Sequence, residues 1–202
     1  VIAVDYAGSP CDWKALRSIA DKYEIKLIND NCHAMGAEYF HNKKYAAKYA
    51  DIVVQSYHPV KHFTSGEGGS VITNDKILDE KIKLLRSHGM TKREKHLSKN
   101  DGPWYYEMID LGYNYRITDF QSALGTQQLK KLNRFLKLRR SIAKIYDDVF
   151  DNIEVLTIPK VNDINKHAYH LYPLLIDFNM AKIKKSEFFY KMADNGILLQ
   201  VH

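Results

Sequence analysis

Short runs of apolar, β-branched residues alternate with segments of helical periodicity through the first half of the 202-residue chain. Four runs have the length and composition of buried strands, namely "VIAVD", "KLIND", "DIVVQSY" and "SVITN". The apolar spacing predicts helices from about Asp12 to Tyr23 and from about Lys76 to Ser87. Strands of this kind, separated by helices, indicate an α/β fold whose mostly parallel sheet is covered by helices.

Polar side chains mark the points where three of these predicted strands end. They are Asp5, Asp30 and Ser56. In open α/β sheets, ligand sites gather at the carboxyl ends of the strands. We therefore expect functional side chains at this edge of the sheet.

A polar, aromatic stretch from Thr91 to Ile117 is predicted to be a long loop, and loops of that length are usually functional or mobile. Thr118 and Gln121 then form the T-x-x-Q pattern of a capping box, which predicts a helix start. Helical spacing continues to about Phe150, so we predict one long helix that bridges two domains. Its predicted apolar stripe comprises Phe120, Leu124, Leu132, Phe135, Ile142 and Ile145.

The last part of the chain has the pattern of an α+β tail. It contains the strand-like runs "IEVLTI", "AYHLYPLLI" and "ILLQVH", and a helix through "KSEFFYKMADNG" that Asn195 and Gly196 would end. We predict that residues 1–135 belong to a large domain and that residues 136–202 are part of a smaller one. Both ends of the chain lie in strand-like patterns, so we expect a fragment of a longer protein.

Composition narrows the choice of partner and compartment. The formal charge of +6 is carried by runs such as "KKLNRFLKLRR", in which cations alternate with apolar residues as on solvated helix faces. No recognised nucleic-acid-binding motif accompanies the charge, so we expect no nucleic-acid partner.

No apolar run is long enough to span a bilayer and no secretory leader is visible, which predicts a cytoplasmic protein with no membrane partner. Cys11 and Cys32 are predicted to be reduced and structural.

Lys61 is the first candidate for chemistry. It lies between a proline turn and a glycine cluster in "SYHPVKHFTSGEGGSVITND". A lysine at the end of a buried strand loses solvation and is placed to form a Schiff base. A surface lysine in a turn is the alternative, and spacing alone favours it.

Asp30 and Ser56 extend the hypothesis. A pyridoxal phosphate site needs a lysine, a carboxylate for the pyridinium nitrogen and donors for the phosphate. Asp30 follows an apolar strand, where such a carboxylate would lie, and Ser56 precedes Lys61 by five residues. Taken singly, Asp30 is equally a turn or cap aspartate and Ser56 a strand-end serine.

Other arrangements are excluded by geometry. His58 and His62 have Pro59 between them, which breaks the helix that a zinc-binding pair at this spacing requires, so no metal is predicted. Cys32 and His33 are adjacent and would point to opposite faces of an extended chain. The "GEGG" run lacks the spacing of a phosphate-binding loop and is predicted to be a close-packed turn.

Three ordered segments resemble the DegT/DnrJ family of sugar aminotransferases, which are PLP enzymes of the aspartate aminotransferase fold (fold type I). They are "DYAGSPCDWKALRSIADKYEIKLINDNCHAMGAEY", "SYHPVKHFTSGEGGSVITND" and "GYNYRITDFQSALGTQQLKKL". The resemblance implies that Lys61 binds PLP covalently, Asp30 pairs with the pyridinium nitrogen and Ser56 binds the phosphate. It places His33 where the family often has a glutamine, near the phenolic oxygen of the cofactor. A branch of the family with histidine in place of the lysine is a dehydratase branch, and Lys61 argues against it.

The "GYNYR" segment carries a further implication of the resemblance. Asn114 matches a residue that in the family reaches the cofactor phosphate of the partner subunit, with Arg116 nearby, so a homodimer with composite sites is implied. Without the family signature, the segment would be interpreted as an aromatic loop packed on its own domain.

Within the family, "RSHGM", "HLYPLL" and "GILLQVH" look most like the PseC-type enzymes. Those enzymes aminate a UDP-linked 4-keto-6-deoxy-N-acetylhexosamine on the way to pseudaminic acid, with glutamate as the implied amino donor. His58 and His202 are the candidate substrate-binding residues, and a strand-end histidine without a catalytic role is the alternative for His202. A catalytically silent PLP-fold protein and an aminotransferase for another nucleotide keto sugar are the competing functions.

Overall fold

A computed structural model describes residues 1–162 and 164–202, and its largest sheet contains the four predicted strands. The strands are β1 (Ile2–Val4), β2 (Ile28–Asp30), β3 (Ile52–Ser56) and β4 (Gly69–Ile72), in the order β1-β2-β3-β4. The first three are parallel, and β4 returns antiparallel to β3. The prediction of a mostly parallel sheet is confirmed, with one antiparallel strand.

Both helices predicted in the first half are present at the expected positions. They are α1 (Trp13–Lys22) and, after the short unpredicted α2 (Tyr45–Tyr49), α3 (Lys76–Arg86). Asp12 caps α1 by accepting a hydrogen bond from the Ala15 amide at 3.2 Å, and Asp75 caps α3 in the same way. Both helices therefore begin at the cap residues, where the sequence predicts their starts.

The hydrophobic core lies between the sheet and the helices packed on it. Its largest completely buried side chains are Trp13 of α1, Tyr45 of α2 and Leu27 before β2. Leu136, more than ninety residues further along the chain, belongs to the same core. Burial of this apolar surface is the main stabilising contribution to this part of the molecule.

Asp5 is a buried polar anchor and not a site residue, which corrects the expectation based on its position at a strand end. Its carboxylate is 0% exposed. It accepts hydrogen bonds at 2.7–3.1 Å from five donors, which are the Cys11 amide and the side chains of Trp13, Asn29, Asn31 and Tyr45. These donors satisfy a charge that would otherwise be too costly to bury. Asp5 thus joins β1, α1, β2 and α2.

The long loop predicted from Thr91 to Ile117 contains more regular structure than expected. A small hairpin pairs β5 (Met90–Thr91) with β6 (Glu107–Met108), and a 3₁₀ turn covers Glu94–His96. Ser98 and Tyr105 bind the Glu107 carboxylate, so side-chain hydrogen bonds close the loop between the strands.

The prediction of one long helix from Thr118 to Phe150 is wrong. Two helices are present, α4 (Asp119–Leu129) and α5 (Leu132–Phe150). The capping box is confirmed, because Thr118 and Gln121 exchange both of its hydrogen bonds. The Lys131 amide bonds to the Gln128 carbonyl, and this tighter i to i−3 turn ends α4 without a proline or glycine.

The predicted apolar stripe of this region is only partly correct, because Leu132 packs against the core whereas other members of the stripe are exposed. Phe120 is 91% exposed and Ile145 is 60% exposed, whereas Leu136 and Ala143 are buried. The core-facing side of α5 also carries Arg139, which is half-buried because it binds backbone carbonyls. The spacing of hydrophobic residues does not identify a helix face that packs through arginine side chains bound to main-chain carbonyls.

The tail contains a two-stranded ribbon and one helix. They are β7 (Leu156–Thr157), β8 (Leu175–Ile176) and α6 (Lys185–Asp194), with Asn195 as C-cap and Gly196 at a positive φ of 78°. The prediction of the helix and its stop is confirmed. The "ILLQVH" run forms no strand in the part described, and "AYHLYPLLI" is a strand only at its end. None of the described helices combines the length and apolar character needed to cross a bilayer.

Candidate active site

Lys61 follows β3, in the turn that the proline and glycine residues around it predict. Its amide donates to the His58 carbonyl at 3.0 Å, and the residue is only partly exposed. The glycine cluster then leads into β4. At Gly69, a Cβ atom would meet the Gln55 carbonyl oxygen at 2.6 Å, so the absence of a side chain lets β4 approach β3. The prediction of a close-packed turn is confirmed at this glycine.

Asp30 ends β2, the strand next to β3, and lies beside Val54 in the sheet register. One of its carboxylate oxygens accepts from the Cys32 amide at 3.1 Å. The opposite charges of Asp30 and Lys61 both act on Cys32, whose thiol pKa is raised to about 12 by burial and by Asp30, against the effect of Lys61. Both charges therefore act on the same thiol, at the carboxyl-terminal end of the parallel strands.

The same two charges act on His33. Its pKa is lowered by burial and by Lys61, with Asp30 acting in the opposite direction. The Ala7 amide donates to Nδ1 of His33 at 3.4 Å. The ring centroid of Tyr6 lies 5.9 Å from that of His33 and 6.4 Å from that of His202, so the chain terminus also reaches this cluster.

Two further histidines belong to the cluster and were not predicted as site residues. The His170 ring lies 4.3 Å from the His33 ring and 5.5 Å from the His62 ring, centroid to centroid. His62 is 3% exposed and donates from Nε2 to the Ala168 carbonyl at 3.1 Å. The pKa of His62 falls to about 4, mainly through burial, and that of His170 to about 3 through burial, His33 and Lys61. At neutral pH, the rings of His62 and His170 are therefore uncharged.

The residues that carry His170 are fixed to the rest of the molecule by two arginines of α5. Arg139 donates to the carbonyls of Tyr169 and His170 at 3.0 and 3.2 Å. Arg140 donates to the carbonyls of His167 and Gly36 at 2.9 and 3.0 Å. Neither interaction has a signal in the sequence, because the acceptors are main-chain atoms.

Ser56 ends β3, and His58 follows it in the turn that leads to Lys61. The Ser56 hydroxyl accepts from the His58 amide at 3.3 Å and remains able to donate. The His58 side chain points away, toward Glu67, with its Nε2 3.8 Å from the carboxylate. His58 is therefore not brought to the Lys61 cluster.

Asn114 and Arg116 lie on an exposed segment. The rings of Tyr113 and Tyr115 stack there at 4.7 Å, and Asn114 pairs with Ser87 through the backbone. Within the described residues, no hydrogen bond or ion pair joins Asn114 or Arg116 to the Lys61 cluster. Of the predicted residues, Asp30, Lys61 and His202 thus act on the His33 ring, and Ser56 ends the strand next to Asp30.

The mixed sheet covered by helices superposes on solved sugar aminotransferases, and this likeness identifies the PLP-dependent transferase fold of the aspartate aminotransferase type. The chain belongs to the DegT/DnrJ/EryC1/StrS aminotransferase family, whose model matches residues 1–202. The predicted family and fold are confirmed.

Individual relatives agree with this assignment. The UDP-4-amino-4,6-dideoxy-N-acetyl-beta-L-altrosamine transaminase of Campylobacter jejuni is 41% identical over 202 residues, which are 100% of this chain and 51% of that protein. Among solved structures, Helicobacter pylori PseC, described as an aminotransferase of pseudoaminic acid biosynthesis, superposes with a TM-score of 0.87 at 34% identity, covering 100% of this chain and 51% of its own. The PMP form of the Streptococcus pneumoniae protein Spr1654, a putative sugar aminotransferase by its description, gives 0.84 at 25% identity, covering 100% and 55%. The chain spans about half the length of the curated relatives it matches.

Proposed function

We propose that the chain is part of a PLP-dependent aminotransferase that transfers an amino group from glutamate to a nucleotide-linked 4-keto-6-deoxy sugar. The observation that carries the proposal is that Asp30 ends β2 and Lys61 follows the adjacent parallel strand β3, with both charges acting on the His33 ring that packs against His170. Perturbed titratable groups gathered at strand ends are typical of active sites.

The residues present fit pyridoxal phosphate. Asp30 offers a carboxylate for the ring nitrogen, Lys61 an amine for the aldehyde carbon and Ser56 a hydroxyl for the phosphate. A Cβ at Gly66 would find nothing within 4 Å, so the loop beside the lysine is open. Nδ1 of His170 is buried and bonds to no group in the described part of the chain, so a polar atom is left at the site. When bound, PLP supplies the electron sink and carries the amino group between donor and acceptor.

Each residue then has a defined task. The Lys61 amine, as general base and then acid, would move the proton from the α-carbon of the amino donor to the cofactor, and in the second half-reaction it would move a proton from the cofactor to the acceptor carbon. Asp30 keeps the pyridine nitrogen protonated, because a carboxylate beside it favours the charged ring. His33, Ser56 and Lys61 orient the cofactor.

The sugar substrate is inferred from relatives. The Campylobacter jejuni protein is named as a UDP-sugar transaminase and Helicobacter pylori PseC is described as an enzyme of pseudoaminic acid biosynthesis. We assign this chain the same class of substrate and the same pathway to pseudaminic acid. His202 is the proposed substrate contact within the cluster. His58 remains a proposal only for a conformation in which it leaves Glu67.

We further propose a homodimer in which Asn114 and Arg116 serve the site of the partner subunit. The exposure of both residues, beside the stacked Tyr113 and Tyr115, supports this arrangement.

The two free thiols suit a reducing compartment, and we propose the cytoplasm. The division into residues 1–135 and 136–202 stays a proposal, and the burial of Leu136 in the core favours a boundary within α5.

The first experiment identifies the lysine that binds PLP covalently. The full-length protein is saturated with PLP, reduced with borohydride and digested, and the modified peptide is identified by mass spectrometry. We expect the pyridoxyl group on Lys61, with none on the Lys61→Ala variant and an unchanged result for Lys48→Ala. A folded, PLP-saturated protein with unmodified Lys61 would refute the assignment.

A second experiment adds glutamate without a keto sugar. It separates an enzyme from a silent homologue, because only the enzyme converts PLP to PMP.

A further inference from the structure

Three separate chain segments meet at the ring of His33. The turn after β1 contributes Ala7, whose amide donates to Nδ1 of His33 at 3.4 Å. Tyr6 from the same turn approaches the ring at 5.9 Å. The segment that precedes β8 contributes His170, whose ring lies 4.3 Å away at an interplanar angle of 39°. The His33 ring is therefore held by one hydrogen bond and two aromatic neighbours.

The hydrogen bond from Ala7 also fixes the tautomer of His33. A neutral imidazole has one nitrogen that donates and one that accepts. Burial and Lys61 keep the His33 ring neutral at physiological pH. Because Nδ1 accepts from the backbone, the proton lies on Nε2, which makes Nε2 the donor.

His170 is itself held rigidly by its backbone. Its amide donates to the Ala7 carbonyl at 2.9 Å, and its carbonyl accepts from Arg139 at 3.2 Å. Ala7 thus bonds to the His33 side chain through its amide and to His170 through its carbonyl. Gly8 permits this contact, because a Cβ there would lie 2.8 Å from the Tyr169 amide nitrogen and 2.9 Å from the His33 carbonyl oxygen.

We propose that His170 is a positioning residue whose flat ring, together with the Ala7 amide, locks His33 in the Nε2-protonated tautomer and presents that donor to the cofactor. The proposal rests on the proposed function only for the last step, the contact between His33 and PLP. Glutamine, in contrast, has a fixed amide donor and would need no tautomer to be selected. A histidine at this position does need that selection, and His170 supplies the supporting surface.

The test reads the tautomer directly, without activity. Full-length protein with ¹⁵N-labelled imidazoles is measured by NMR before PLP is added, and the His33 signals are assigned with His33→Gln. We expect one set of shifts with Nε2 protonated in the wild type and in His170→Phe, which keeps a flat ring. His170→Ala should give shifts averaged between the two tautomers. His167→Ala is the matched control, because His167 is a buried histidine of the same segment whose neighbours are Arg140 and Tyr169.

A kinetic cycle provides the second readout. In the presence of glutamate, His170→Ala should lower kcat about tenfold with little change in KM when residue 33 is histidine, and less than about twofold in the His33→Gln background. Unchanged His33 shifts in His170→Ala, or averaged shifts in His170→Phe as well, would overturn the proposal. Equal losses in both backgrounds would also overturn it, since they would indicate a structural role. The NMR result does not depend on PLP, so it stays separate from the borohydride experiment.

Discussion

At the scale of single residues, Asp5 shows how a buried charge can stabilise a fold without taking part in chemistry. Replacement of Asp5 by Asn keeps the shape but removes the charge and places an NH₂ group against donors. Hydrogen bonds to a charged group contribute about 1.5–3 kcal/mol each, so we expect the free energy of unfolding to fall by about 3 kcal/mol or more. Urea unfolding measures the change. Asp75→Asn, at a helix cap where Asn is nearly equivalent, should lose less than about 0.5 kcal/mol, and a similar loss for both variants would contradict the assignment.

The buried histidines give stability a defined dependence on pH. His62 and His167 both have pKa values of about 4 in the folded protein, lowered from 6.5 mainly by burial. Between these values the unfolded chain binds more protons than the folded one, so stability is complete above pH 6.5 and is lost as the pH falls toward 4. Each residue contributes up to about 1.4 kcal/mol per pH unit in this window.

Thermal unfolding between pH 4.5 and 7.5 measures this dependence. His62→Gln can still donate to the Ala168 carbonyl but does not titrate. Its stability should therefore vary less with pH than that of the wild type. An identical slope in both proteins would show that His62 is not the source.

Asp30 is predicted to act on reactivity more than on binding. Asp30→Asn keeps the hydrogen bond to the Cys32 amide but cannot hold a proton on the pyridine nitrogen. We expect the glutamate half-reaction to slow by about a hundredfold or more, while PLP affinity changes less than about tenfold. Stopped-flow absorbance and PLP titration give the two numbers. Full turnover by this variant would remove Asp30 from the mechanism.

At the scale of elements, Gly8 controls how the β1 turn meets the segment that carries His170. Gly8 has a φ of 107°, and a side chain there would collide with backbone atoms of His33 and Tyr169. We expect Gly8→Ala to cost about 3 kcal/mol, from strain and from the lost contact. Gly66→Ala is matched, since its φ is 83° and its surroundings are open, and should cost about 1 kcal/mol. Comparable losses in urea unfolding would mean that the contact at Gly8 is unimportant.

The elements that the sequence predicted correctly have local causes. Asp12 and Thr118 are caps that bond to amides three residues away, and Gly196 takes up the left-handed backbone that ends α6. The errors have non-local causes. The break after α4 has no proline or glycine, and the buried face of α5 is set by Arg139 binding distant carbonyls. Such contacts leave no periodic pattern.

In the candidate site too, the residues that the sequence predicted have local signals, and those it missed depend on contacts between distant parts of the chain. Lys61 and Asp30 were found because each follows an apolar strand, and parallel neighbours end at one edge of the sheet. His62 was considered only as a metal ligand, and His170 lies in a run predicted to be a strand. The contact between His33 and His170 joins residues 137 positions apart and depends on the packing of Ala7 between them.

At the scale of the whole molecule, the exposed apolar and aromatic side chains need an explanation. Phe120 and Tyr115 are 91% and 71% exposed, and both adjoin the segment that carries Asn114. Large exposed apolar patches mark interaction surfaces. The proposed homodimer would cover this region and bring Asn114 to a second site.

Mixed dimers test that arrangement. Lys61→Ala and Asn114→Ala subunits, co-expressed with different tags, should each be nearly inactive alone. A hybrid dimer with composite sites holds one intact site, so a random mixture should recover about a quarter of wild-type activity. Lys61→Ala mixed with Asp30→Asn, both acting within one subunit, should recover none. Recovery in neither mixture would argue against composite sites.

The two thiols have a practical consequence for such studies. Cysteine-directed dyes attack the thiolate, and pKa values of about 11 for Cys11 and about 12 for Cys32 leave almost none at neutral pH. Cys11 and Cys32 are the only cysteines of the 202-residue sequence. A third cysteine, introduced at the exposed Ser18 of α1, would therefore react faster than either of them. Subunits labelled there with donor and acceptor fluorophores would report dimer formation and exchange by energy transfer, with the native thiols left unlabelled.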